Sequence, residues 1–276
     1  MKSWIENYHN NGAAVIRGAL PLDWVERMRV AIQDVLDNPG DASLEYTKEG
    51  KPGRYYGDFF IWRRHEVFKD FIANSPLPAL AAELMNAQTV RFFYDQLLVK
   101  EPGTAEETPW HQDLPYWPLR GNDIMSVWVP FDKVSEAEGS LHYIKGSHKW
   151  GKFYAPGAFN KESGFSDIYE KAGLEPLPPI DELLDGQEIL CWDMEPGDVL
   201  LHHPLTLHHA SGNASATTRR RALALRYLGD DVRYDTRAGT FLDNPKVRAT
   251  LPEITLGDGD KISGELFPKV WTNTLA

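Results

Sequence analysis

Apolar residues are spaced in two ways along this chain. Up to about residue 88 they recur mainly at helical intervals. Leu22, Val25, Met28, Ile32 and Val35 share one face of a helix predicted over Pro21 to Leu36, with Pro21 suited to a first turn. Phe68 to Met85 predicts more helix, interrupted near Ser75-Pro76. A single strand-like run, Ala13 to Ile16, sits between Gly12 and Gly18. After Thr89 the runs are short, rich in β-branched and aromatic residues, and closed by turn residues. They predict strands over Thr89–Lys100, Ile124–Phe131, Gly139–Ile144, Glu188–Trp192, Asp198–His202, Leu205–His209 and Arg220–Gly229. Tyr154 to Asp185 is long, polar and proline-rich, and reads as an insertion or lid over a barrel mouth.

Many turn-separated strands behind a helical segment predict a mainly β fold, a sandwich or jelly roll with helices packed on one sheet. No linker interrupts the chain, so it is read as one domain. Its parts are a helical N-terminal layer (about 1–88), a β core (about 89–232) and a C-terminal extension (233–276).

Composition narrows the function. The chain has 276 residues and a net charge of −11, which disfavours nucleic acid as a partner. Nine Trp, eleven Tyr and twelve Phe suit a β-rich fold with an aromatic-lined pocket. The lone cysteine, Cys191, excludes an intrachain disulfide and a cysteine-based zinc site, and is expected to be a buried small hydrophobe. No run of 18 apolar residues is present, and the N-terminus has no apolar signal-peptide core, so no membrane association and a cytoplasmic location are expected.

The chemistry-bearing stretch is PWHQDLPYWP. On an extended chain His111 and Asp113, two apart, point the same way and can reach one cation. One His, one Asp and a distant second His suit the facial triad of non-haem Fe(II), which leaves positions open for a bidentate cosubstrate and O2. The second His comes from PGDVLLHHPLTLHHASGN. Strand alternation puts Thr206 and His208 on one face, which favours His208; a bulge would substitute His209. His202 and His203 read as supporting residues. The usual cosubstrate for such a site, 2-oxoglutarate, needs a fixed cation for its far carboxylate, and the fork of an arginine is best. In RRRALALRY, alternation places Arg220, Ala222, Ala224 and Arg226 on one face, with small residues leaving room for a ligand. Arg220 is therefore the expected anchor among Arg219, Arg220 and Arg221. Arg226 is left as a support or a substrate contact. Tyr55, Tyr56, Tyr116 and Trp117 either line a substrate pocket or pack at the barrel rim.

The stretches HQDLPYWPLRGNDIMSVW, EAEGSLHYIKGSHKWG, EPGDVLLHHPLTLHHASGN and RRRALALRYLGDD, in this order, resemble the phytanoyl-CoA dioxygenase family of Fe(II)/2-oxoglutarate oxygenases. The resemblance implies a double-stranded β-helix (a cupin-like jelly roll) flanked by helices. It also implies hydroxylation coupled to decarboxylation of 2-oxoglutarate. By motif, His111, Asp113 and His208 match the metal ligands and Arg220 the carboxylate anchor. Trp128 and Gln96 match further cosubstrate contacts. Halogenating relatives replace the carboxylate, so Asp113 implies hydroxylation. The expected substrate is a small molecule, charged or zwitterionic. Two readings stand beside this one: a non-catalytic jelly-roll protein that binds or senses a metabolite, and a cupin-type metalloenzyme that needs no 2-oxoglutarate.

Overall fold

The computed structural model describes residues 2–157 and 165–274 of the chain. Helix α1 (Ser3–Asn11) ends at Gly12 in the left-handed region, φ 83°, and hands over to strand β1 (Ala13–Ile16). Helix α2 (Leu22–Asp37) follows. Strands β2 (Leu44–Glu45) and β3 (Tyr55–Phe59) precede helices α3 (Glu66–Asn74) and α4 (Leu77–Met85), which Ser75-Pro76 separates. Next come β4 (Thr89–Lys100), β5 (Thr108–His111), β6 (Leu119–Arg120), β7 (Ile124–Pro130) and β8 (Leu141–Ile144). Two short helices, α5 (Ser166–Tyr169) and α6 (Ile180–Leu184), lead to β9 (Ile189–Leu190), β10 (Val199–His202), β11 (His208–Ala210) and β12 (Arg220–Leu228). The chain closes with β13 (Arg233–Tyr234), α7 (Pro245–Ala249) and β14 (Lys269–Thr272).

Two antiparallel sheets face each other in a jelly roll. The larger runs β1-β10-β7-β12-β4-β3-β2, with β14 also paired to β4; the smaller runs β5-β11-β8-β9. Alternation gives each strand of the larger sheet two different faces. Leu97, Val99, Val127, Val129, Leu223 and Leu225 point out and pack under α2 and α3, against Met28, Ile32, Phe68 and Phe71. Trp128, Leu200, Ala222 and Ala224 point in and meet Leu141, Tyr143 and Ala210 of the smaller sheet. The inner layer also carries buried polar and charged side chains, among them Gln96, Ser126 and Arg220.

Several elements differ from the pattern-based reading. The segment before residue 88 is not purely helical, because β2 and β3 extend the larger sheet beyond β4. The C-terminal extension is part of the same sheet through β14. The strand expected over Leu205–His209 begins only at His208, since residues 204–206 turn. The strand at 188–192 shortens to two residues, and Cys191 is half-buried rather than buried. Of the expected lid, 158–164 lie outside the described residues; beyond them Phe165, Ile168 and Tyr169 are buried against Trp117 and Phe241. No helix among the described residues is long and apolar enough to cross a membrane.

Candidate active site

His111 ends β5 and is the Cα partner of His208 in β11, which brings their rings to 4.1 Å between centroids. His209 turns to the opposite side, against Trp110 and His142. Nδ1 of His111 lies 2.7 Å from the Pro109 carbonyl and Nδ1 of His208 lies 2.9 Å from the Thr206 carbonyl. A carbonyl oxygen only accepts, so each ring carries its N–H on Nδ1 and its lone pair on Nε2. Burial lowers the pKa of both rings, His208 well below the usual imidazole value, with Asp113 pulling the other way. Both therefore stay neutral.

Asp113 reaches them by a different route from the one that strand alternation suggests. It lies past the end of β5 at φ −77°, ψ −46°, and opens a 3-10 turn over Leu114–Tyr116. The N–H groups of Asp113 and Leu114 both donate to the Pro204 carbonyl, at 2.8 and 3.0 Å. Gln112 points away and clamps the same turn. Its Nε2 donates to Lys152 O and Leu205 O, and its Oε1 accepts from Tyr154 N–H. The HQD motif thus ends in a pinned turn, not a strand.

The Asp113 carboxylate is divided between two tasks. Oδ2 accepts from Ser126 Oγ at 2.8 Å and from His202 Nε2 at 3.2 Å. Oδ1 lies 3.7 Å from His111 Nε2, 3.9 Å from His208 Nε2 and 3.7 Å from Arg226 Nη2. Arg226, Ser126 and His202 are Cα partners in one row across β12, β7 and β10. Burial alone would raise the carboxyl, but Arg226, His202 and His208 outweigh it and hold the group well below the ordinary carboxylate value. One donor atom from each of His111, Asp113 and His208 lies within 4.8 Å of the others. Two neutral imidazoles and one ionised oxygen, with their other polar atoms bonded elsewhere, can hold an octahedral cation such as Fe(II) on one face.

Of the three consecutive arginines only Arg220 faces the interior. Arg219 pairs with Glu101, and Arg221 makes three hydrogen bonds to Asp132. The guanidinium of Arg220 sits 5.8 Å from the Trp128 ring, and Trp128 and Gln96 both flank Ala224 in register. Gln96 Oε1 accepts from Arg226 Nη2 at 3.2 Å, and the Gln96 side chain also bonds to Tyr46.

A cavity opens onto His111, Asp113 and Gln96. Its walls are aromatic: Tyr46, Tyr94, Tyr116 and Tyr169, with Phe59 and Phe241. Only Tyr116 of the expected pocket residues lines it. Tyr55 instead bonds Thr108 at 2.7 Å and packs beside Arg220, because it stands two rows further along the sheet. Tyr56, on the opposite face of β3, bonds Asp58. Trp117 is buried behind the wall and donates to the Tyr94 hydroxyl at 2.8 Å. Arg226 is drawn to Asp113 and lies between Tyr94 and Trp117 rather than in the cavity. Tyr46, Tyr169 and Phe241 were not foreseen; no local motif marks them. Ser126 could have been found, since it shares strand parity with Trp128.

Comparison with known proteins agrees with this architecture. A family model described as phytanoyl-CoA dioxygenase (PhyH) matches residues 8–222. A probable phytanoyl-CoA dioxygenase from Caenorhabditis elegans is 26% identical over 262 residues, covering 84% of this chain and 77% of its own. Among solved structures, the non-haem alpha-ketoglutarate-dependent carbocyclase SnoK from nogalamycin biosynthesis superposes with a TM-score of 0.75 at 23% identity, over 98% of this chain and 96% of SnoK. EctD from S. alaskensis, solved with 2-oxoglutarate and 5-hydroxyectoine, gives 0.67 at 19% identity over 86% of this chain and 79% of EctD. At these identities the structural likeness speaks for the fold, and the match over residues 8–222 speaks for the family. The chain belongs to the phytanoyl-CoA dioxygenase family of Fe(II)- and 2-oxoglutarate-dependent oxygenases.

Proposed function

We propose that this oxygenase hydroxylates a small molecule held in the aromatic cavity, with 2-oxoglutarate decarboxylated to succinate and CO2. The observation that carries the reading is the intact carboxylate at Asp113. It faces His111 and His208 through one oxygen while Ser126 and His202 occupy the other. His111, Asp113 and His208 would hold Fe(II). Arg220 would fix the far carboxylate of 2-oxoglutarate, with Trp128 and Gln96 beside it. When bound, the iron and the cosubstrate supply the oxidising chemistry with O2.

The chain's own contribution is position and access. The backbone carbonyls of Pro109 and Thr206 aim the two imidazoles. The Tyr116 hydroxyl donates to Gly157 O and accepts from Gly157 N–H, tying the metal-side turn to the start of the expected lid. No Lys or Arg is among the described residues lining the cavity. That supports an apolar or cationic face on the substrate, since aromatic faces attract cations and give an anion no partner. A carboxylate of a zwitterionic substrate finds no counter-ion among the described residues of that wall.

The test is succinate release by the purified chain with Fe(II), 2-oxoglutarate and O2, screened over neutral, cationic, zwitterionic and acyl-CoA candidates. A hydroxylase gives substrate-stimulated succinate and a product heavier by one oxygen. Absence of both, with 2-oxoglutarate binding retained, would leave the binding-protein reading standing.

A further inference from the structure

Three buried imidazoles crowd around the Asp113 carboxylate, and they do not carry their hydrogens alike. The His202 ring centre lies 4.5 Å from that of His208, nearly as close as His111 at 4.1 Å. His111 and His208 have backbone carbonyls at Nδ1, which leaves the lone pair on Nε2. His202 has a phenol there instead. Its Nδ1 lies 3.2 Å from the Tyr143 hydroxyl, and its Nε2 lies 3.2 Å from Asp113 Oδ2.

The two ends fix the direction of that chain. A carboxylate facing Arg226 accepts and does not donate, so His202 carries hydrogen on Nε2. Tyr143 is 0% exposed, and among the described residues His202 is the one hydrogen-bond partner of its hydroxyl. A phenol that accepted from Nδ1 would leave its own hydrogen buried without an acceptor, at a cost of about 1–3 kcal/mol. The chain therefore runs from Tyr143 O–H to His202 Nδ1, and from His202 Nε2–H to Asp113 Oδ2. Neither nitrogen of His202 keeps a lone pair for a metal.

The sheets make this arrangement rigid. His202 is the Cα partner of Ser126 on β7, and Tyr143 is the Cα partner of His208 on β11. The larger and smaller sheets are thus joined by the Tyr143–His202 bond, beside the residues that would hold the ion. Ser126 O–H donates to the same Asp113 oxygen at 2.8 Å. Oδ2 is therefore engaged twice, while Oδ1 faces His111 and His208.

We propose that Tyr143 and His202 are positioning residues that hold Asp113 to one metal-facing oxygen and keep His202 itself off the metal. Three positions of an octahedral ion then stay open for cosubstrate and O2. The proposal rests on the reading of His111, Asp113 and His208 as the metal ligands, and assigns the pair that limits the protein to those three donors.

The probe is Mn(II), and the readout is the broadening of its EPR lines in water enriched in the magnetic oxygen isotope, which counts the water ligands. The unmodified chain should show three, the open face of an octahedral ion. His202→Leu removes the imidazole donor from Oδ2, so the carboxylate closes on the ion through both oxygens and the count falls to two. His202→Gln, whose amide still donates to Oδ2, should restore three. A count unchanged in His202→Leu, or lowered equally in His202→Gln, overturns the role of His202. Should His202→Leu not fold, His202→Met is read in the same way.

Tyr143 is tested through its partner. Tyr143→Phe should weaken Mn(II) roughly three- to tenfold while His202 is present, the loss of one hydrogen bond that orients the ring. In the His202→Leu background the same change should shift affinity by less than about twofold. Equal losses in both backgrounds, or none in either, overturn its action through His202. If His208→Ala binds Mn(II) as tightly as the unmodified chain, the ligand reading itself fails, independently of Tyr143 and His202.

Discussion

Replacing Arg226 by Met removes the guanidinium that faces the Asp113 carboxylate. At the observed 3.7 Å, and with an effective dielectric near 20, the pair is worth about 4 kcal/mol. Ser126 and His202 still donate to Oδ2, so part of that is retained and the expected net loss is about 2–3 kcal/mol. Met fills much of the space between Tyr94 and Trp117, whose ring centres lie 4.4 and 5.5 Å from the guanidinium, so a cavity contributes little. A bound divalent ion changes the sum. Without metal, Arg226 is the counter-charge of Asp113; with metal, the ion takes that part and Arg226 becomes a like charge beside it. Thermal melts in EDTA should therefore place Arg226→Met roughly 4–12 °C below the unmodified chain. Saturating Mn(II), which suits the same donors without oxygen chemistry, should close most of that gap, because binding to the folded state adds more stability where the carboxylate lacks a partner. Equal deficits in EDTA and in Mn(II) would refute the assignment of Arg226 as the counter-charge.

Other consequences are open to test. His208→Ala should abolish Fe(II) binding in an equilibrium metal titration, whereas His209→Ala, which loses its stacking on Trp110 and His142 and a hydrogen bond to the Thr108 backbone, should keep affinity within about threefold. Gln112→Ala frees the turn that carries Asp113 and should cost about 1–3 kcal/mol in urea unfolding, with metal affinity falling roughly 10- to 100-fold. Gly57→Ala puts a Cβ 2.5 Å from the Tyr46 ring, so substrate-stimulated turnover should fall while anaerobic 2-oxoglutarate binding is unchanged. Burial, only partly offset by the N–H groups of Ile61 and Trp62, raises the Asp95 carboxyl to about 7. A raised folded pKa adds stability that is full below the unfolded value of 3.8 and is lost as pH rises through about 7. The stability of the unmodified chain relative to Asp95→Asn should thus fall between about pH 4 and 7 and level off above; a difference independent of pH would sink that reading.

Much of the fold is written in local alternation. Thr89–Lys100 is a strand with the predicted bounds, and the alternation of Arg220, Ala222 and Ala224 sends that face inward as the small residues suggest. What is not legible depends on distant partners. Asp113 is aimed by a carbonyl at Pro204, about ninety residues away, and no local rule announces that bond. Tyr55 to Phe59 is buried at every position, so it lacks the polar alternation that marks a half-exposed strand. Lys100 stands at the end of a strand, where a lysine normally reads as solvated, and only its pairing with Arg220 across the sheet shows otherwise. The aromatic wall is assembled from positions between 46 and 241, too far apart for any motif.

That patchwork wall has a practical meaning. Tyr46 follows β2, Tyr169 ends α5 and Phe241 begins a 3-10 turn after β13, whereas the imidazoles stand on β5 and β11. Phe241 even lies beyond the stretch shared with the family model. On the proposed reading, recognition and reactivity thus fall on separate parts of the scaffold. A library confined to Tyr46, Tyr169 and Phe241 should change which compounds enter while leaving iron loading intact, making the chain a ready platform for retargeting oxidation.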